Sequence, residues 1–87
     1  MNLPNHIELS VYPNPFNSEL IIRVNSNNRS NSGVNIFDIL GRHVAKLDAV
    51  NGQTLHWKPT GLSSGKYFIV PETLSKSAQT VSVLYVK

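Results

Sequence analysis

The chain has 87 residues, 40% of them apolar and 15% charged, with eight basic side chains against five acidic ones and no cysteine. That composition is one folded domain at most, burying only ~60–65% of the surface its unfolded chain exposes, with little room for a deep active-site cleft. Disulfides, thiolate metal sites and cysteine nucleophiles are excluded. The net charge of +3 is spread from Arg23 to Lys87 without a basic run, so no nucleic-acid footprint is present. No apolar run approaches the ~18 residues of a membrane span.

In chain order, residues 1–6 read as a linker or an artificial start, because no charged-then-apolar leader follows Met1. Ile7 to Val11 alternates, with Ile7, Leu9 and Val11 toward a core and Glu8 and Ser10 toward water, the period-two pattern of a half-buried strand. Pro13 and Pro15 end it, since proline cannot donate to a ladder and restricts the residue before it. Asn14 and Asn17 are expected to hold the resulting bend by bonding nearby backbone groups, with Phe16 tucked as a plug against the core. Leu20 to Val24 is a second strand, Leu20, Ile22 and Val24 on one face. Asn25 to Gly33, rich in Asn and Ser, reads as a loop.

Val34 to Asp38 is the third strand, Val34 and Ile36 inward and Phe37 on the opposite face. Asp38 suits the start of a turn because its carboxylate accepts from backbone N–H groups two residues on. Gly41 supplies positive φ there, and Leu40 is expected to cap the end of the core. Val44 to Leu47 is a short fourth strand. Asn51-Gly52 signals a type I′ hairpin into a fifth, Thr54 to Lys58, with Leu55 and Trp57 on one face. After a turn-rich link from Pro59, Lys66 to Val70 carries apolar residues on both faces, as a central strand would, and Pro71 is expected to stop it. Thr80 to Lys87 alternates Val81, Val83 and Tyr85 against Ser82, Leu84 and Val86. Seven short strands at regular spacing predict an all-β, seven-stranded immunoglobulin-like β-sandwich.

Four segments, Tyr12-Pro-Asn-Pro-Phe-Asn17, Ile36-Phe-Asp-Ile-Leu-Gly-Arg42, Gly65-Lys-Tyr-Phe68 and the closing Val83-Leu-Tyr-Val-Lys87, together resemble the C-terminal sorting domain of the type IX secretion system, type A. The resemblance runs from about Leu9 to Lys87. It implies a β-sandwich carried by a larger exported cargo and read by the outer-membrane secretion machinery. A sortase-like peptidase would then remove it, leaving the cargo attached to the cell surface or released. Periplasmic transit, a monomeric state and no cofactor go with that reading. The chain departs from the family pattern at Ser18-Glu19-Leu20, where a threonine is common, and at Lys58-Pro59, where the family often has aspartate-glycine.

Other sites weigh against chemistry. His6, His43 and His56 are too dispersed for a metal motif, and His56 should face solvent beside an inward Trp57. Serine, histidine and aspartate occur without a nucleophile elbow. Five scattered acids build no calcium cage, so Asp38 is read as a turn cap. Asn28-Arg29-Ser30 matches a glycosylation triplet that is common by chance. Trp57 reads as core filler; if exposed, it would instead be a sugar-stacking platform and favour a carbohydrate-binding module. A flagellar hook-cap-type structural domain is a further alternative and would require assembly of several copies.

The terminal strand carries the sharpest functional expectation. An edge strand offers unpaired N–H and C=O groups that a partner strand can extend. The expected recognition residues are Pro13, Asn14, Pro15 and Asn17 of the bend, Gly41 and Arg42 of the turn, and Val83, Leu84, Tyr85, Val86 and Lys87 of the tail, with cleavage upstream of Ile7.

Overall fold

The computed structural model describes residues 7–26, 32–49, 54–72 and 80–87. It holds seven strands: β1 (Ile7–Tyr12), β2 (Leu20–Ser26), β3 (Ser32–Asp38), β4 (His43–Ala49), β5 (Thr54–Trp57), β6 (Gly65–Glu72) and β7 (Val81–Tyr85). They form two antiparallel sheets, one ordered β1-β2-β5 and the other β4-β3-β6-β7. The expected immunoglobulin-like sandwich is the fold observed.

The core follows from the alternation. Leu9, Leu20, Ile22, Val24, Leu55 and Trp57 point inward from the first sheet, and Val34, Ile36, Tyr67, Ile69, Val83 and Tyr85 from the second. Each of these is a period-two position, so the two faces interdigitate without a buried polar side chain among the described residues. Val44, Ala45, Leu47 and Leu62 pack around the rim of this core.

Several boundaries differ from the sequence reading. β2 runs on to Ser26 and β3 begins at Ser32, inside the segment read as a loop, because β1 pairs with Asn25 and Ser26 and β4 pairs with Ser32 and Gly33. Gly33 lies so close to β4 that a Cβ there would meet the Leu47 carbonyl oxygen at 2.6 Å. Pro71 does not stop β6: it pairs with Val34 and is buried. The β7 register ends at Ile69↔Val81, so a residue without an N–H breaks no ladder on that side.

The β4–β5 hairpin is also corrected. β4 pairs with β3 and β5 with β2, so the chain changes sheets between them. A local turn signal cannot anticipate that, because partner choice is settled by which sheet covers each apolar face. Residues 51 and 52 lie outside the described residues, as do residues 1–6 and the 28–30 triplet.

At the start of β4 the register shifts. Ile36 faces Ala45 and Phe37 faces His43, leaving Val44 as an extra residue. Such a bulge re-aims the strand it interrupts. Here Val44 packs against the core while the His43 ring stands edge-on to Phe37 at 5.4 Å.

Candidate recognition site

The four sequence motifs converge on one end of the sandwich. Gly65 pairs with Tyr85, Asp38 with Tyr67 and Leu20 with Trp57. The chain therefore brings the 12–19 bend, the 38–43 turn, the 58–65 link and the tail to the same pole.

Four aromatic rings close this pole from inside. Phe16 stands 5.6 Å from Trp57 and 5.1 Å from Tyr85, and Trp57 stands 5.5 Å from Tyr67. Tyr67 meets Tyr85 at 6.4 Å. Trp57 belongs to one sheet and the two tyrosines to the other, so Phe16 plugs the seam between layers as expected. The Tyr67 hydroxyl donates to the Ser63 carbonyl at 2.7 Å, which anchors the link, and burial pushes this phenol above its ordinary pKa. With Trp57 buried, the carbohydrate reading loses its platform.

The bend, with cis peptide bonds before Pro13 and Pro15, runs along the outer edge of β7. Asn14 donates through Nδ2 to the Ser82 carbonyl (3.3 Å) and accepts through Oδ1 from the Leu84 N–H (3.0 Å). Two residues on, the Phe16 N–H donates to the Leu84 carbonyl (3.0 Å) and its carbonyl accepts from the Val86 N–H (2.8 Å). An asparagine side chain and one backbone residue thus act as a substitute strand. This corrects the expectation of an open edge: from Ser82 to Val86 the four outward-facing groups just named already have partners. It also corrects the role of Asn14, whose side chain grips β7, some 68–70 residues away in sequence, rather than nearby backbone.

The 38–42 turn is held differently. Asp38 Oδ1 accepts from the N–H groups of Leu40 and Arg42, each at 2.9 Å, and Oδ2 accepts from Arg42 Nε at 2.8 Å. The Asp38 N–H donates to the Arg42 carbonyl (2.9 Å) and the Gly41 N–H to the Asp38 carbonyl (3.0 Å). Gly41 sits at φ +83°, where a Cβ is strained. The Arg42 N–H is the largest cause holding the Asp38 carboxyl below its usual pKa; the guanidinium and the Leu40 N–H add to it against a desolvation cost. Asp38 is therefore a turn cap, and Arg42 its ion-pair partner with a side chain still 73% exposed.

The family model for the secretion system C-terminal sorting domain matches residues 10–86. The chain belongs to this family. This sorting domain is a signal and not an enzyme. It sends the protein that carries it through type IX secretion to the cell surface or beyond, by way of the secretion machinery. Among solved structures, latent dimeric PorU from Porphyromonas gingivalis shares the fold at a TM-score of 0.76 and 19% identity. The likeness covers 98% of this chain and 10% of that one, so the sorting domain spans about a tenth of the length of PorU. No curated protein matches the chain.

The expected recognition residues of the sorting domain do come together, but they are not equivalent. Pro13, Asn14, Pro15, Asn17, Gly41, Arg42, Leu84, Val86 and Lys87 are exposed. Val83 and Tyr85 are buried, so their side chains present nothing to a partner; they alternate onto the core face of β7. The Lys87 N–H donates to Ser64 Oγ at 2.7 Å, tying the end of the tail to the link before β6. Leu40 is corrected as well: it caps no core and stands 73% exposed at the turn tip, beside Ile39 at 70%. Sequence reasoning passed over Ile39, although two consecutive aliphatics between a capping aspartate and a glycine were the available signal. His56 faces solvent as expected and meets Glu19 Oε2 at 2.6 Å.

Proposed function

We propose that the secretion machinery reads the folded pole of the sandwich, through Pro13, Asn14, Pro15, Asn17, Gly41, Arg42 and the exposed residues of the Val83–Lys87 tail. The observation that carries this reading is the seam between Asn14–Phe16 and Ser82–Val86, which makes the bend and the tail one surface. A sealed edge favours recognition of that composite surface over extension of β7 by an incoming strand. In this reading the domain acts as a monomer on cargo crossing the periplasm, and a sortase-like peptidase cuts upstream of Ile7 once the cargo is outside.

The test is a reporter fused ahead of the domain in a cell that has the machinery. Deleting Val83 to Lys87 should leave the reporter in the periplasm. Export of the deletion at the level of the intact fusion would end the proposal. A surface or medium form trimmed just before Ile7, which disappears when the peptidase is lost, checks the cleavage step.

A further inference from the structure

Ile39 and Leu40 have no structural reason to be aliphatic. They are 70% and 73% exposed at the tip of a turn, where polar residues fold equally well. The turn that carries them is fixed by the five hydrogen bonds within 38–42, so their backbone is already ordered before any partner arrives. A rigid apolar pair loses little further freedom on binding, which is the condition for a small surface to carry affinity.

The pair borders a groove of about 500 Å³ between this turn and the 61–67 segment. Val44 and Leu62, half-buried against the core, belong to its lining. Arg42 and Lys66 belong to the lining too, and the Lys66 ammonium stands 6.0 Å from the centre of the Phe68 ring. The carboxylate in the lining is Asp38, already taken by Arg42; among the described residues the terminal nitrogens of Arg42 make no hydrogen bond. The groove therefore combines aliphatic side chains with two cationic ones.

We propose that this groove binds a protein segment of the secretion machinery in which a carboxylate sits beside aliphatic side chains. The aliphatics would cover Ile39, Leu40 and Leu62, and the carboxylate would lie between Arg42 and Lys66. Two cations beside a groove, rather than many around the apolar pair, select this partner over a lipid surface, which favours an apolar tip ringed by cations. The inference rests on the sorting role and adds the site and chemistry of contact.

The experiment uses the same reporter fusion with Ile39→Ser/Leu40→Ser, with Lys66→Glu, and with the Val83–Lys87 deletion as control. Melting of each domain is followed by Trp57 fluorescence. Expected is at least a tenfold loss of export for the double variant and at least threefold for Lys66→Glu, with melting temperatures within about 3 °C of the parent. If the double variant melts lower than that, Lys66→Glu alone decides. Export within twofold of the parent for the deciding variants, while the deletion still blocks, overturns the groove and leaves the sorting role standing. A deletion that exports freely defeats the tail reading instead. Sedimentation of the domain with phosphatidylglycerol or lipopolysaccharide vesicles, lost in the double variant, would assign the surface to lipid and overturn the protein partner.

Discussion

Two chain reversals meet at one pole of this sorting domain and use their apolar residues in opposite ways. The Pro13–Asn17 bend turns Phe16 inward among Trp57 and Tyr85 and grips β7 through Asn14. The Asp38–Arg42 turn satisfies itself with its own carboxylate and leaves Ile39 and Leu40 in water. The first holds the tail to the body of the domain; the second holds only itself. A turn that is self-contained is free to display its apolar side chains, whereas one that closes the core must turn them inward. Stability should therefore respond more to the bend than to the turn, whose tip is free for a partner.

The largest effect expected on stability is from Phe16→Ala. Removing a buried ring from the seam costs about 3–5 kcal/mol, against a total of about 4–13 kcal/mol for a domain of this size. Denaturant unfolding followed by Trp57 emission reads it directly; a loss below about 1 kcal/mol would mean the bend is not a plug. Next, Asn14→Ala removes two hydrogen bonds at about 1 kcal/mol each. It should also speed amide exchange at Leu84 while leaving Val86, held by the Phe16 carbonyl, less affected. Equal acceleration along the whole domain would argue that the grip is global and not local.

The turn is sharpened by two smaller changes. Gly41→Ala forces a Cβ into the left-handed region and should cost about 1–2 kcal/mol, measured by the same unfolding curve. Asp38→Asn tests the cap through pH. The folded-state pKa of Asp38 is lowered, so its stabilisation is complete above the unfolded value of about 4. It declines as pH falls through the lower folded-state value and is gone below that. The melting temperature of the parent should exceed that of Asp38→Asn at neutral pH, and the two should converge in acid. A gap constant with pH would show that the carboxylate charge does not matter.

The fold was legible because the strands obey a rule of period two. Leu9, Leu20, Ile22, Val24, Val34, Ile36, Leu55, Trp57, Tyr67, Ile69, Val83 and Tyr85 all fall on the faces that alternation assigns. Asp38 and Gly41 were legible for a related reason: a capping carboxylate and a positive φ act within four residues. Long-range choices were not. Nothing local to Asn51-Gly52 says that β4 and β5 join different sheets, and nothing local to Pro71 says that its neighbour strand has already ended. Leu40 misled because hydrophobicity alone does not say whether a residue at a strand end turns inward or out.

The sequence by itself determined seven strands, two apolar faces and the two sharp reversals, because propensity, alternation and turn chemistry are properties of neighbours in the chain. Only the tertiary structure decided that Asn14 reaches Ser82 and Leu84, that the edge of β7 is closed, and that Ile39, Leu40, Arg42 and Lys66 line one groove. Those contacts join residues up to 70 positions apart. Their geometry exists only after the two sheets have packed and brought the Pro13–Asn17 bend, the Asp38–Arg42 turn and the tail to one pole.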